Sequence, residues 1–247
     1  MRVDIITIFP ALFPGPLGEG VIGRDIDRGL LNLRVHDLRD FADEPHRQVD
    51  DEPFGGGGGM VFKPEPLFLA VEAVATELAE HGLEAGPVVM MCPQGELLEQ
   101  PKAEELATLA QMTLLCGRYE GVDERVHEHL VDFELSIGDY VLTGGELPAM
   151  VVVEVITRLQ SGALGDAKAA GRDSFSEGLL DYPQYTRPAE FRGYLAPWVL
   201  RSGNHQAIAT WRRQQSLLAT ARKRPDLLAN QTLSEQDQAF LRNETRE

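Results

Sequence analysis

The fold of this chain is decided by residues 87–121, whose sequence is PVVMMCPQGELLEQPKAEELATLAQMTLLCGRYEG. Two short, continuous apolar runs, at 87–92 and 112–116, are bounded by turn residues and predict strands that are covered on both faces. A short helix is predicted between them, around 102–107. Strands that alternate with helices at this spacing predict an α/β fold with a largely parallel sheet.

The residues that precede this stretch continue the pattern. Residues 2–9 alternate and are rich in β-branched side chains, and 31–38 have a similar character, so both predict strands. A helix is predicted between them at 20–28. Between 65 and 80, apolar residues recur at spacings of 4, 3 and 4, which predicts a helix with one apolar face.

The predicted sheet also indicates where a ligand binds. In parallel α/β sheets, ligands bind beyond the carboxyl ends of the strands, which are predicted here at 92–95 and 117–121. A third segment, 133–142, leads into a Gly-rich turn and then a mostly apolar helix that continues to about residue 160, with Pro148 in its first turn. We therefore expect a site where these turns meet.

The composition changes after residue 161. Residues 162–174 are small, polar and rich in Gly and Ala, which is typical of a linker or a mobile loop. Farther on, 188–203 are punctuated by Pro and predicted to be irregular, whereas 204–224 and 234–242 carry the capping signatures of helices. We expect an α/β domain over 1–161, a flexible linker over 162–175 and a small helical domain over 176–247.

Composition limits the class of protein. Of the 247 residues, 43% are apolar, which is ample for a core. The 23 Lys and Arg against 39 Asp and Glu give a formal charge of −16, which argues against a generally basic surface for nucleic acid or anionic lipid. We expect neither a signal peptide nor a membrane span. Cys92 and Cys116 lie in apolar runs, so buried thiols and a reduced, cytoplasmic setting are predicted.

The charge is unevenly distributed along the chain. Residues 51–150 hold 4 cations and 19 acids, whereas 158–224 hold 11 cations and 5 acids. Nine of those eleven cations are Arg, which suits planar, bidentate contacts with phosphate and base edges. The net charge therefore leaves room for a local, Arg-based surface that binds nucleic acid.

Five consecutive glycines, Gly55 to Gly59, predict a loop. The backbone amides of such a loop can bind a phosphate. However, the Gly-Lys-Ser/Thr ending of a nucleotide triphosphatase is missing, and we expect no strand before the loop. Two interpretations stay open: a plain flexible loop, and a backbone that closes around a flat base beside Phe54 and Met60.

Other chemistries have little support in the sequence. The six His residues show no metal-ligand spacing, so no metal site is predicted. The nucleophile motif Gly-x-Ser-x-Gly and a dinucleotide-binding motif after the first strand do not occur. A set of polar residues in predicted turns, at a helix end and in the linker remains: Glu120, Asp139, Tyr140, Glu146, Arg158 and Asp173. Each alone is more typical of a solvated or capping residue, but together they indicate a pocket.

Two longer motifs resemble the bacterial tRNA (guanine-N1)-methyltransferase family, which methylates the guanosine immediately 3′ of the anticodon, position 37 of tRNA. They are LCGRYEGVDERV at 115–126 and SIGDYVLTGGELPA at 136–149. Shorter matches extend the resemblance over nearly the whole chain, at 5–10, 49–59, 173–181, 185–188 and 200–205.

The resemblance implies a knotted (trefoil) parallel-sheet methyltransferase domain, followed by a small helical domain that binds tRNA. It implies a homodimer whose active site is shared between subunits, with S-adenosyl-L-methionine as methyl donor. Carried over by position, the cofactor site comprises Pro93, Gly117, Ile137, Gly138, Asp139, Tyr140, Val141, Leu142 and Pro148. Asp173 is implied as the general base, Arg158 as its partner and Glu120 as a further polar contact.

These residue types suit the implied chemistry. Guanine N1 carries a proton and is a poor nucleophile, so methyl transfer needs a base such as Asp173. Loss of the proton moves negative charge to the neighbouring carbonyl oxygen, where Arg158 can stabilise it. The base must leave its stack, which fits a clamp made of the glycine loop and the linker.

The chain departs from the family pattern at two positions. Gly58 replaces a common Pro, which predicts a floppier loop, and Cys92 replaces a common Ser, which puts a hydroxyl contact to the cofactor in question. The family also suggests magnesium, although no metal-ligand cluster is visible in the sequence.

Three other functions fit the sequence less well. A related enzyme that modifies another RNA position or a ribose hydroxyl would not need Asp173 as a base. A non-catalytic RNA-binding protein would not need both Asp173 and Arg158. A nucleotide triphosphatase would need the phosphate-loop lysine that this chain lacks.

Overall fold

Apolar side chains, many of them β-branched, form most of the central sheet in the computed structural model, which describes residues 1–165 and 173–244. Within those residues the strands are β1 (Arg2–Thr7), β2 (Asn32–Asp37), β3 (Asp50–Asp51), β4 (Val61–Phe62), β5 (Val88–Leu97), β6 (Gln111–Cys116), β7 (Phe133–Ser136), β8 (Glu190–Phe191) and β9 (Tyr194–Leu195). Five of them form a parallel sheet in the order β2-β1-β6-β5-β7. The predicted α/β fold with a parallel sheet is therefore confirmed.

The α-helices of the same residues alternate with the strands of the sheet and then dominate the last third of the chain. They are α1 (Pro14–Leu17), α2 (Gly20–Asp27), α3 (Pro64–Glu80), α4 (Gln100–Leu106), α5 (Glu124–His129), α6 (Glu146–Arg158), α7 (Trp198–Arg201), α8 (His205–Lys223), α9 (Pro225–Ala229) and α10 (Glu235–Glu244).

Helices cover both faces of the sheet. On one face, residues of α1, α2, α4 and α6 build a core that includes Phe13 and Val153. On the other, α3 and α5 contribute Leu67 and Val126 to a second core. β1 and β6 are buried along their whole length because they lie inside the sheet, which explains why β6 is a continuous apolar run.

Local signals placed several helices correctly. The apolar spacing at 65–80 corresponds to α3, and Pro148 lies in the first turn of α6. Asn204 caps α8, since its Oδ1 accepts a hydrogen bond from the amide of Ala207 at 3.1 Å. α8 ends at Lys223, before Pro225, as predicted.

Three local predictions were wrong. The glycine loop does follow a strand, because it connects β3 and β4, which pair as an antiparallel hairpin. The stretch 188–203 contains the β8–β9 hairpin and α7. β5 continues to Leu97, although its pairing with β7 shifts register between Met91 and Glu96. Strands of two residues carry too little pattern to be recognised from sequence.

The chain divides into two compact units, Met1–Gly165 and Asp166–Glu247. The first contains the five-stranded sheet. The second contains α7 to α10, with a buried Leu217 and a hydrogen bond of 2.9 Å from the amide of Leu180 to Oγ1 of Thr220. Residues 166–172, half of the predicted linker, lie outside the described residues, and the predicted domain bounds stay a prediction. In the described part of the chain, no helix is long and apolar enough to cross a membrane.

Candidate active site

A cleft opens at the carboxyl ends of β5, β6 and β7, where a parallel sheet binds its ligands. Its empty volume is about 830 Å³, including the open mouth. Strand residues form its base and the loops that follow the strands form its rim. The lining residues are Met90, Met91, Cys92, Pro93, Gly117, Arg118, Tyr119, Glu120, Gly121, Val122, His127, Leu135, Ser136, Ile137, Gly138, Tyr140, Val141, Leu142, Thr143, Gly144, Gly145 and Pro148.

Gly145 lets the turn before α6 lie directly against β6. A Cβ atom at this position would come within 2.8 Å of the Cα atom of Cys116 and 3.1 Å of the Cβ atom of Met91. The Gly145 amide donates a hydrogen bond of 2.9 Å to the carbonyl oxygen of Gly117. A residue with a side chain would therefore push the start of α6 away from β6 and distort the cleft.

A buried ion pair fixes the edge of the cleft. Oγ1 of Thr7 donates to Oε1 of Glu146 at 2.9 Å, and Nε of Arg118 donates to both carboxylate oxygens at 3.1 and 3.0 Å. The Arg118 guanidinium also lies 4.4 Å from the ring centroid of Phe9, a cation–π distance. Glu146 is the first residue of α6, where a negative charge is favourable. These contacts join β1, β6 and α6 beside the cleft.

The last residue of the glycine loop lies against Glu120, which lines the cleft. The amide of Glu120 donates to the carbonyl oxygen of Met60 at 3.0 Å, next to the loop. A Cβ atom on Gly59 would lie 2.3 Å from Cγ of Glu120, so the missing side chain makes room for the glutamate. Gly58 has a φ of 82°, which Pro cannot adopt because its ring fixes φ near −65°. The loop therefore has a conformation that a Pro at position 58 would forbid.

A second polar cluster lies where the β5–β7 pairing changes register. Nδ1 of His127 contacts Oε1 of Glu134, and the Cys92 thiol lies near the same carboxylate. Burial, and then the nearby Glu134 charge, raise the pKa of the Cys92 thiol, which is half-buried. Cys116 is buried as predicted, and burial raises the pKa of its thiol as well.

Residues 137–142 leave β7 in a tight turn. The amide of Tyr140 donates to the carbonyl oxygen of Gly138 at 2.9 Å, and its hydroxyl donates to that of Ile137 at 3.3 Å. Gly138 has a φ of 147°, and a Cβ atom there would come within 2.5 Å of the Tyr140 ring. The turn thus depends on glycine and carries backbone groups along the cleft.

The structure brings many of the predicted site residues together. Eight of the nine residues that the resemblance assigns to the cofactor line the cleft, and so does Glu120. The exception is Asp139, which is exposed. Arg158 is the last residue of α6, at the opposite end from the cleft, and does not line it. Asp173 belongs to the second unit, where its carbonyl oxygen accepts a hydrogen bond of 2.6 Å from Oγ of Ser176. Their chemical roles stay predictions.

Arg118 and His127 line the cleft, although neither is among the candidate site residues; Arg118 lies in the turn 117–121, where the sequence predicts a ligand site. Arg118 directly follows the Gly at the end of β6, which is a usable signal for a cation at a ligand site. Its partner Glu146 is 28 residues away, so the sequence did not reveal the pair. His127 gives no local signal for a place in the cleft, because its partner Glu134 belongs to another element.

Across 1–165 and 173–244, no three His, Cys, Asp or Glu side chains are grouped so that they could hold a metal ion. Magnesium therefore stays an expectation of the family resemblance.

A parallel α/β sheet with a glycine-rich cleft at the carboxyl ends of its strands is typical of α/β proteins that have their ligand site at this edge of the sheet. The family model for tRNA (Guanine-1)-methyltransferase TrmD matches residues 1–230, and the chain belongs to this family.

Relatives with the name tRNA (guanine-N(1)-)-methyltransferase match along their length. One from Moorella thermoacetica is 55% identical over 242 residues, which cover 98% of this chain and 95% of the relative. One from Geobacillus kaustophilus is 50% identical, with 98% and 97% covered. One from Brevibacillus brevis is 52% identical over 241 residues, with the same coverage of 98% and 97%.

Proposed function

We propose that this protein transfers a methyl group from S-adenosyl-L-methionine to N1 of the guanosine immediately 3′ of the anticodon in tRNA. The observation that carries the proposal is the family match over residues 1–230, in a chain where eight of the nine predicted cofactor residues line one cleft. The names of relatives that align with 98% of the chain support the same activity. A tRNA substrate and two free cysteines favour action in the cytoplasm.

The cleft suits S-adenosyl-L-methionine in shape and chemistry. Apolar side chains such as Leu135 and Leu142 can cover the faces of an adenine ring, and backbone groups of 137–142 can hydrogen-bond its edge. Gly117 has no side chain to narrow the entrance. When bound, the cofactor supplies an electrophilic methyl group, and the protein supplies placement.

Asp173 is the proposed general base. Its carboxylate accepts the N1 proton as the guanine nitrogen attacks, because the protonated nitrogen is a poor nucleophile. The negative charge that develops moves to the neighbouring guanine carbonyl oxygen, where the Arg158 guanidinium stabilises it. Glu120, positioned against Gly59 at the rim of the cleft, is a further polar contact to the substrate.

The position of Arg158 supports an active site shared between two copies. At 1.5 Å per residue, its Cα atom lies roughly 18 Å along α6 from Glu146 at the cleft, farther than an arginine side chain reaches. One face of α6 also carries exposed apolar residues, with Leu147 59% and Val151 40% exposed. A homodimer in which two α6 helices pack antiparallel would bring Arg158 of one copy close to the cleft of the other.

The remaining parts of the proposal concern the fold and the RNA. We assign a trefoil knot to the first domain and tRNA binding to the helical domain over 176–247, because the family resemblance implies both. The target base must leave its stack to be methylated, and the glycine loop with the linker over 162–175 is the proposed clamp.

Incubation with methyl-labelled S-adenosyl-L-methionine and unmodified tRNA transcripts tests the activity. A transcript with guanosine after the anticodon should gain label, and a matched transcript with adenosine there should gain none. Primer extension should stop one nucleotide before the labelled base, because N1 methylation blocks base pairing. Equal label in both transcripts, or label without a stop, would favour another position or a ribose hydroxyl, and no label would contradict the activity.

Variants at Asp173 test the proposed base. Asp173→Asn should keep cofactor binding but lose at least a hundredfold in single-turnover rate, within the range for general-base catalysis. The control is Asp226→Asn, because Asp226 is an exposed carboxylate of the same unit paired with Arg224. A near-normal rate in Asp173→Asn would remove Asp173 from this role.

A further inference from the structure

The β8–β9 hairpin carries two aromatic side chains on one face. Phe191 and Tyr194 are direct register partners, so their side chains stand side by side. The turn between them consists of Arg192 and Gly193. Their φ values of 54° and 84° are both positive, as in the two-residue turns of β-hairpins. We call residues 190–195 the aromatic hairpin.

Both aromatic rings are largely open to solvent. Phe191 is 60% exposed and Tyr194 is 78% exposed, which is unusual for side chains that bury so much area elsewhere in proteins. The guanidinium of Arg192 lies 5.2 Å from the Phe191 ring centroid, so a cation sits directly beside the pair. Trp198, a few residues farther on, is 67% exposed as well.

The size of this surface limits what can cover it. A stable protein interface involves about 20–30 residues on each partner, whereas the aromatic hairpin has six. A nucleobase needs little more than one aromatic ring to stack on. Two adjacent rings with a guanidinium beside them match the combination by which proteins hold unpaired bases and their phosphates.

Charge also favours a nucleic acid at this place. Residues 1–165 hold 11 cations and 29 acids and would repel a phosphate backbone, whereas 166–247 hold 12 cations and 10 acids. Near the aromatic hairpin in sequence, Arg187, Arg192 and Arg201 are accompanied by a single acid, Glu190. A polyanion is therefore attracted to this segment and repelled by most of the remaining chain.

We propose that Phe191 and Tyr194 form a stacking surface for unpaired bases of the RNA substrate, with Arg192 at a neighbouring phosphate. This rests on the proposed function in so far as the RNA is tRNA. The surface contributes affinity outside the cleft in which methyl transfer takes place. It binds the faces of the bases and therefore does not depend on the RNA sequence.

Equilibrium binding of the substrate transcript to the full chain tests the proposal. Phe191→Ala and Tyr194→Ala should each raise the dissociation constant about tenfold, within the range for loss of one stacked base. Tyr194→Phe keeps the ring and should bind as the parent does. Leu195→Ala is the matched control, because Leu195 is 65% exposed on the opposite face of the same hairpin.

Salt titration and sedimentation distinguish base stacking from a phosphate contact and from a contact between subunits. Loss of stacking should leave the salt dependence of binding unchanged, because no phosphate contact is removed. Unchanged binding by both alanine variants, or an equal loss in Leu195→Ala, would overturn the proposal. So would a change in oligomeric state, because the rings would then contact a second copy of the chain.

The two proposals fail in different ways. If the parent protein binds tRNA with the expected loss in the alanine variants but transfers no methyl group, the proposed function fails and the stacking surface stands. If the parent methylates tRNA and the variants bind it normally, the stacking surface alone fails.

Discussion

The carboxylate of Asp4 is fully buried in the middle of β1 and depends on three partners. Nε and Nη2 of Arg2 donate to it at 2.8 Å, Nε2 of Gln111 donates at 3.0 Å, and Nε2 of His36 lies 2.9 Å away. Burial raises the pKa of Asp4, but the hydrogen bonds of His36, Arg2 and Gln111 together leave that pKa below its ordinary value. A charged and fully partnered carboxylate therefore stabilises the centre of the sheet.

Replacing Asp4 with Ala should lower the free energy of unfolding by about 3 kcal/mol, the low end for a broken buried pair, because the buried Arg2 would keep Glu77 at 3.1 Å as its acidic partner. The control Glu105→Ala removes an exposed carboxylate 3.1 Å from Lys102 and should cost about 0.5 kcal/mol or less. Denaturant unfolding at pH 7 measures both values. Equal costs would contradict a stabilising role for the Asp4 network.

The same network has a defined pH dependence. Because the pKa of Asp4 in the folded protein lies below the unfolded value of about 3.9, its contribution is complete above that value. The contribution is lost as the pH falls through the lower folded-state pKa. The difference between the parent and Asp4→Ala should therefore shrink below about pH 4, and a constant difference down to pH 2 would contradict the assignment.

The variant Gly145→Ala tests how far cofactor binding depends on the turn before α6, because it adds one atom to that turn. Gly145→Ala adds a Cβ atom within 2.8 Å of the Cα of Cys116, so the first turn of α6 must move. We expect at least tenfold weaker binding of S-adenosyl-L-methionine in calorimetry. Gly15→Ala is the control, because nothing lies within 4 Å of its added Cβ atom. Equal affinities in both variants would show that the cofactor does not depend on this turn.

At the scale of the element, α6 has one face for the core and one for the proposed partner. Val152, Val153 and Ile156 are fully buried, whereas Leu147 and Val151 face outward. Val151→Glu should therefore leave the fold intact but dissociate the dimer, because two buried carboxylates would face each other. Sedimentation and methyl transfer measure the outcome.

The matched control for this prediction is Glu154→Gln, three residues farther along the same helix, where the parent side chain is already polar and exposed. It should leave the sedimentation coefficient unchanged. A Val151→Glu protein that sediments and methylates like the parent would remove α6 from the subunit interface.

Elements with strong local signals could be predicted from sequence, and those fixed by distant contacts could not. β6 and α3 have continuous or periodic apolar patterns, and α8 has a cap in Asn204. By contrast, β5 extends past Cys92 because Gly95 lets it lie against the backbone of Glu134, a contact that no local pattern encodes.

In the candidate site, too, residues with a local sequence signal could be predicted, whereas contacts between distant residues could not. The residues at 137–142 were indicated by a long motif, and the structure brings most of them to the cleft. The hydrogen bond between Thr7 and Glu146 joins residues that are 139 positions apart, so the sequence alone does not reveal it. The register change in β5 likewise depends on β7, which follows much later in the sequence.

At the scale of the whole molecule, the two units differ in net charge. The first is strongly acidic, while the second has a small excess of cations, most of them Arg. Among the described contacts, Arg201 and Arg222 are exposed cations without an acidic partner. Such cations are available for phosphate, whereas Arg213 is already paired with Asp237 at 3.0 Å.

This asymmetry predicts how tRNA binding responds to salt. Each phosphate contact releases counterions, so the logarithm of the binding constant should fall linearly with the logarithm of the salt concentration. Arg201→Gln and Arg222→Gln should each weaken binding at low salt and reduce that slope by about 1. Arg34→Gln, an exposed arginine on β2 in the acidic unit, is the control and should change neither. If Arg34→Gln reduced the slope as much as Arg201→Gln, the RNA would contact the acidic unit directly. The inference that the acidic unit repels the RNA would then be wrong.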